Sequence, residues 1–282
     1  MRALVYSTKP FEKNVLQMAN KNHELVFAGE PLNDHTASKA SGFDAVILFT
    51  SDAAGKSVLQ KLSDGGVKFI ATRSAGIDHI DIETAQALNI AVANVPGYSP
   101  YAVAEHAVML MLALNRNLFM AGDLFRKNNF LLDSLVGAEL HDKTVGVLGT
   151  GKIGETVIRI LNGFGCMILA YDTFENKELE QQLGFTYCNL DALLYESDII
   201  TLHIPLNDGT KYLIDAGKIS RMKRGVMIIN TSRGAVINTA DLISSLVQGQ
   251  VGAAGLDVYE KENSSILRIY RVQRLKMSCS IS

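Results

Sequence analysis

The chain has 282 residues, 48% hydrophobic and 20% charged, which is enough apolar material for two domains. Its formal net charge of -2 gives no reason to expect nucleic acid or an anionic membrane as partner, no apolar run approaches the ~20 residues of a bilayer span, and the opening MRALVYSTKP lacks a signal-peptide core. The three cysteines (Cys166, Cys188, Cys279) form no CxxC pair and have no histidine at ligand spacing, so the expectation is a cytoplasmic protein with reduced thiols, no metal site and a small-molecule ligand.

Short apolar runs near residues 2–6, 44–49, 67–71 and 90–93 alternate with helical patterns, the mark of a first α/β unit with a mainly parallel sheet. Next comes VPGYSPYAVAEHAVMLMLALNRN, whose prolines and glycine mark a domain boundary or hinge. Ser99 is the expected N-cap, Pro100 the first helical residue, and the helix should reach about Asn117. Its apolar run 107–114 is too short for a membrane segment and suits a buried interdomain or interface helix. From Thr144 a second series of strands begins: TVGVLG, CMILAYD, FTYC, DIITLHIP, VMIINTS and VGAAGLDV. Separated by helical segments, they suit a doubly wound sheet. There is no internal repeat and no low-complexity tract.

The stretch VGVLGTGKIGETVIRIL sets Gly149, Gly151 and Gly154 directly after an apolar strand and at the start of a helix. A dinucleotide site needs that order: one glycine for the tight turn, one for close approach of a pyrophosphate, one for helix–strand packing. The helix N-terminus offers unpaired N–H groups and partial positive charge to the phosphates. Glycine turns also occur for packing alone, but the next strand ends in Asp172, where a carboxylate can accept from ribose hydroxyls and repel a 2'-phosphate. Dinucleotide binding with preference for NAD over NADP is the expectation.

Three further segments follow strands of the same series: LHIPLNDGT, NTSRG and AGLDVYEKE. Taken singly they are bland, with His203 a strand-capping histidine, Arg233 a surface cation and Glu262 one of several solvated acids. Together with RSAGIDHID, VPGYSPYAVAEHA and GTGKIG they resemble, in order and spacing, the NAD-dependent D-2-hydroxyacid dehydrogenases, and within them the fermentative D-lactate dehydrogenases. The resemblance covers residues 1 to about 262. It implies an α/β protein of two Rossmann-like domains: a flavodoxin-like substrate domain over 1–99, incomplete here, and a doubly wound NAD-binding domain over 100–262 that lacks its last strand.

The resemblance further implies hydride transfer between nicotinamide C4 and C2 of a small 2-keto or 2-hydroxy acid. Arg233 would pair with the substrate carboxylate and carbonyl, a task suited to the planar guanidinium. Glu262 would hold the histidine that gives a proton to the carbonyl oxygen. Lys152 and Ile153 would lie in the phosphate loop, and Ile204, Pro205 and Thr210 near the adenosine and nicotinamide. Thr231, Ser232 and Asp257 would flank the nicotinamide. Ala75, Gly76 and Tyr98 resemble the substrate-carboxylate groups of the small domain, while Tyr101 reads as a structural tyrosine. A homodimer or higher assembly, paired through the helix 100–117, is also implied. The opening YSTKPFEK and the VPGYSP loop favour lactate over glycerate, phosphoglycerate or formate. A non-catalytic NAD-binding protein is the alternative of another class.

The resemblance stops just after Glu262. Residues 263–282 carry Arg268, Arg271, Arg274 and Lys276 and no acid, and none of the six histidines lies beyond His203. His79, His106 and His203 sit where the family pattern gives them other uses, so no substitute for the proton-donating histidine is expected. The expectation is a reading-frame change just after Ser264 or Ser265. A genuine variant with a short basic tail is the alternative.

Overall fold

The computed structural model describes residues 1–130 and 133–260. It divides into two compact units, one ending at Tyr98 and the other starting at Ser99.

The first unit is built from β1 (Arg2–Val5), α1 (Pro10–Ala19), β2 (Glu24–Phe27), β3 (Ala45–Leu48), α2 (Lys56–Asp64), β4 (Phe69–Thr72), α3 (Ile82–Ala87) and β5 (Ala91–Ala93). The strands are parallel in the order β2-β1-β3-β4-β5, the flavodoxin-like arrangement. Burial explains the register: in β3 and β4 alternate residues, Val46, Leu48, Ile70 and Thr72, face inward. Val46, Leu48 and Ile70 join Leu4, Tyr6, Val58, Leu59 and Leu62 in one core. β2 is a strand where the sequence reading has only helical pattern. It is short and half-exposed at the sheet edge, so its ELVF carries no burial alternation to read.

The second unit opens with α4 (Pro100–Asn115). Ser99 occupies the N-cap position, but its side chain makes no capping bond; Pro100 is the first helical residue, as its fixed φ favours. The expected extension to Asn117 is not reached, because Asn117 turns left-handed at φ 49° and a further helix, α5 (Leu118–Arg126), starts there. The two helices meet at 59°, and among the described residues no single helix is long and apolar enough to cross a membrane. One face of α4 is buried and the other, with Tyr101 and Met109, is exposed. Ala104, Ala107, Val108 and Met111 are buried in this unit's own core with Val145, Val147, Ile158 and Ile229.

After α5 come β6 (Thr144–Leu148), α6 (Lys152–Asn162), β7 (Met167–Tyr171), α7 (Lys177–Leu183), β8 (Thr186–Tyr187), α8 (Leu190–Glu196), β9 (Ile199–Leu202), α9 (Ala216–Ile219), β10 (Val226–Asn230), α10 (Thr239–Val247) and β11 (Val251–Leu256). All six strands fall within the six apolar runs, parallel in the order β11-β10-β9-β6-β7-β8. Counted from β6 this is the doubly wound order 3-2-1-4-5-6, whose reversal between β6 and β9 opens a crevice for ligand at the carboxyl edge. α4 lies against β11 at Gly255, where a β-carbon would come within 3.1 Å of Leu110 Cβ. Glu262 and the segment 263–282 lie outside the described residues.

Candidate functional site

The three glycines after β6 have three different reasons to be glycine. Gly149 turns at φ 91°, and a β-carbon there would lie 2.5 Å from the His203 carbonyl oxygen. A β-carbon on Gly154 would lie 1.9 Å from the Gly149 carbonyl oxygen, so α6 approaches the loop only without a side chain. Gly151, the N-cap of α6, has nothing within 4 Å of its β-carbon position; its open face admits a ligand to the backbone. Lys152 follows, exposed in the first turn, and Ile153 tucks against the core.

Asp172, just beyond β7, ties this loop in place. Its Oδ2 accepts from Thr150 N at 2.7 Å and Thr150 Oγ1 at 3.0 Å; Oδ1 accepts from Phe174 N at 3.1 Å. Burial pushes its pKa up, but the bonds from Thr150, Phe174 and Thr173 outweigh that and hold it below the usual carboxylate range. Behind Thr150 stands Tyr187 of β8, whose hydroxyl is 2.7 Å from Thr150 Oγ1. Neither Thr150 nor Tyr187 is singled out by the motif spacing.

Beyond β9, His203 caps the strand as its bland reading has it: its N–H donates to Leu148 O at 2.7 Å and Nε2 lies 2.8 Å from Thr201 Oγ1. Burial pushes its pKa down to about 4, so it is neutral at physiological pH. Ile204 packs its side chain against Gly149. Pro205 and Thr210 close the following turn on itself, the threonine hydroxyl donating to Pro205 O at 2.6 Å and accepting from Asn207 N at 2.8 Å.

The end of β10 is organised by Asn230. Its Oδ1 accepts from Ser232 N and Oγ at 3.0 and 2.8 Å, and its Nδ2 donates to Arg233 O at 2.9 Å. Arg233 Nη1 donates to Ser232 O at 2.9 Å, which fixes one corner of the guanidinium. Thr231 Oγ1 is buried and has no partner among the described residues, a polar atom that a bound ligand can satisfy. From β11, Asp257 N donates to Asn230 O at 3.0 Å, and Asp257 Oδ1 lies 3.2 Å from His106 Nε2 of α4. The chain then crosses Gly234 and reaches Glu260, which accepts from the Tyr212 hydroxyl. His106, Asn230, Tyr212 and Glu260 join the site from structure alone.

In the first unit, the loop after β4 holds Ala75 and Gly76 by their carbonyls: Asn94 Nδ2 donates to Ala75 O, and Ser74 Oγ to Gly76 O, each at 2.7 Å. Among the described residues their N–H groups donate to no protein acceptor, which leaves two donors for an anion. Tyr98 is exposed, and so is Tyr101, at 62%; a structural tyrosine would be packed, so that expectation fails.

Thus Gly149, Gly151, Lys152, Ile153, Gly154, Asp172, Ile204, Pro205, Thr210, Thr231, Ser232, Arg233 and Asp257 all lie at or just beyond the carboxyl ends of neighbouring parallel strands. Ala75, Gly76 and Tyr98 belong to the other unit. Glu262 lies outside the described residues. The open face at Gly151, the ionised Asp172 and the unsatisfied Thr231 hydroxyl fit a dinucleotide.

The NAD-binding domain of the D-isomer specific 2-hydroxyacid dehydrogenases matches residues 108–276. A 2-hydroxyacid dehydrogenase homolog of Haemophilus influenzae is 44% identical over 264 residues, 93% of this chain and 80% of that protein. The D-lactate dehydrogenase of Escherichia coli K12 is 43% identical over 264 residues, again 93% of this chain and 80% of the relative. Among solved structures, the apo D-lactate dehydrogenase from Escherichia coli superposes with a TM-score of 0.86 at 42% identity, covering 95% of this chain and 85% of that one. The Aquifex aeolicus D-lactate dehydrogenase complexed with NAD and lactic acid does so with 0.86 at 35% identity, covering 95% and 80%. The chain belongs to the D-isomer specific 2-hydroxyacid dehydrogenase family, closely related to its NAD-dependent D-lactate dehydrogenases, and NAD is its cofactor.

Proposed function

We propose that the substrate pair is pyruvate and D-lactate. The observation that carries this reading is the 43% identity over 264 residues to the Escherichia coli D-lactate dehydrogenase. When bound, NAD supplies the hydride acceptor and donor at nicotinamide C4. The N–H groups at Gly151, Lys152 and Ile153 hold the pyrophosphate at the start of α6, and Asp172 takes the ribose hydroxyls. Ile204, Pro205 and Thr210 line the dinucleotide beside Gly149; Thr231, Ser232 and Asp257 orient the nicotinamide. Arg233, anchored on Ser232 O, pairs with the carboxylate and polarises the carbonyl of the keto acid. Within the first unit, the same reading gives Ala75, Gly76 and Tyr98 the role of carboxylate-binding groups.

Proton delivery is the weak step. A neutral, strand-capping His203 is no general acid near pH 7, His79 is tied to Thr72 Oγ1 at 3.2 Å, and His106 faces Asp257. The family role of Glu262 is to hold the proton-donating histidine, and none of these three takes that place. A positioned general acid is worth about 100- to 10,000-fold, so with these three histidines alone slow turnover with intact cofactor binding is the expected behaviour. Titration of the 282-residue protein with NADH by fluorescence, followed by NADH oxidation with pyruvate, glyoxylate and hydroxypyruvate, tests both halves. Tight NADH binding with slow, pyruvate-preferring oxidation is expected. Ordinary dehydrogenase rates overturn the proton-delivery argument, preference for hydroxypyruvate overturns lactate, and absence of NADH binding overturns the cofactor assignments.

We also infer a homodimer or higher assembly. Its contact is α5 and the residues after it, because Leu118, Phe119, Phe125, Phe130 and Val136 are each more than half exposed.

A further inference from the structure

We propose that Tyr187 is a positioning residue for cofactor choice: through Thr150 its hydroxyl holds the Asp172 carboxylate where it accepts from ribose hydroxyls and repels a 2'-phosphate. The inference rests on the reading of Asp172 as the ribose-binding acid.

Proton counting fixes the direction of the bonds. An ionised Asp172 only accepts, so the single proton of the Thr150 hydroxyl is directed to Oδ2, 3.0 Å away. The 2.7 Å contact between Thr150 Oγ1 and Tyr187 Oη then requires the tyrosine proton. Tyr187 Oη in turn accepts from Asn176 N at 3.2 Å, at the N-cap of α7. The result is a one-way series, Asn176 N–H to Tyr187 to Thr150 to Asp172, in which each donor polarises the next toward the carboxylate. Thr150 N adds a second bond to the same oxygen at 2.7 Å. Oδ2 is thereby pinned toward the protein, and Oδ1 is left at the exposed turn of Thr173 and Phe174 for a ligand.

Packing alone does not call for a tyrosine here. The ring is 8% exposed, meets Phe185 edge to face at 4.9 Å, and its backbone N is held by Glu180 Oε1 at 2.8 Å. A phenylalanine would satisfy each of those contacts. What it would remove is the hydroxyl that donates to Thr150 and accepts from Asn176 N, after which the Thr150 hydroxyl can swing off the carboxylate and Asp172 can turn away from a 2'-phosphate.

The test is fluorescence titration of the full chain with NADH and with NADPH for wild type, Tyr187→Phe, Thr150→Ser, Thr150→Val and Asp172→Asn, with thermal melts alongside. Tyr187→Phe is expected to raise the NADH Kd about fivefold while moving the NADPH Kd less, so that the preference for NADH narrows. Thr150→Val should narrow it likewise, and Thr150→Ser, which keeps the relay hydroxyl, should preserve it. Equal weakening of both cofactors by Tyr187→Phe means a merely structural tyrosine and overturns the proposal. Unchanged affinities in Tyr187→Phe, with discrimination lost in Asp172→Asn, overturn the relay and leave the ribose assignment standing. Undiminished preference in Asp172→Asn overturns that assignment itself.

Discussion

Gly234 lies directly beneath the backbone of Tyr259: a β-carbon at position 234 would sit 2.0 Å from the Tyr259 carbonyl carbon and 2.2 Å from its oxygen. These are backbone atoms, so no side-chain rotation relieves the clash. Gly234→Ala must lift the segment 259–260 off the turn that presents Arg233, at a cost of about 1–3 kcal/mol. The phosphate loop is built on other strands and is untouched. The expected outcome is a melting temperature lowered by several degrees with NADH affinity changed by less than about twofold. An unaltered melt would mean that 259–260 does not rest on Gly234.

Arg233 is the residue on which substrate recognition turns in this reading. Lysine keeps the charge but not the fork that serves carboxylate and carbonyl together. Arg233→Lys should therefore weaken binding of pyruvate, or of its inert analogue oxamate, to the NADH complex by about 100-fold, with NADH affinity retained. Calorimetric titration of oxamate into the NADH-saturated protein measures it. Equal oxamate affinity in the two proteins would remove Arg233 from the substrate site.

Stability should fall on mild acidification because of His203. Burial holds its folded pKa at about 4, well under the usual value near 6.5, so between those limits the unfolded chain takes up a proton that the folded chain refuses. The unfolded state binds more protons in that window, and stability is lost as pH falls through it, by on the order of a few kcal/mol at the lower limit. Asp172 and Asp198, with depressed pKa values, act in a lower range: their contribution is present above the ordinary carboxylate pKa and lost only beneath it. Urea unfolding at pH 7.5 and pH 5 should show the drop. His203→Gln, which does not titrate, should flatten it. A variant as acid-sensitive as the wild type would assign the drop to other groups.

What the sequence discloses about this site is what the backbone itself demands. Gly149 and Gly154 are legible because a β-carbon is excluded there by the chain's own carbonyls, and that exclusion leaves a residue type in a fixed order. Asp172 is legible because the strand that carries it ends in a recognisable pattern. Its supports are not: Thr150 and Tyr187 are 37 positions apart, and their pairing depends on β7 lying between β6 and β8. The same limit hides the His106–Asp257 contact, made only because α4 packs against β11. β2 escapes for a different reason, since an edge strand of four half-exposed residues carries no alternation. α5 escapes because the apolar pattern is interrupted at Asn115, Arg116 and Asn117, and only the left-handed Asn117 shows that a new helix starts there.

That division has a consequence for assembly. Turned by 59° from α4, α5 presents Leu118, Phe119 and Phe125 outward. Phe125 is 70% exposed and its ring meets Phe130, 72% exposed, edge to face at 6.4 Å. Water contact with this much contiguous apolar surface is unfavourable at about 25 cal/mol per Å², and a second copy of the same face relieves it symmetrically. Light scattering of the purified chain should give the mass of a dimer or a multiple of it. Phe125→Glu, a substitution at a site that supports no core, should shift the mass to the monomer while leaving the melting temperature of the isolated fold and NADH affinity nearly unchanged. A wild-type chain that scatters as a monomer at micromolar concentration would remove α5 as an interface. A Phe125→Glu chain that remains dimeric would place the contact elsewhere.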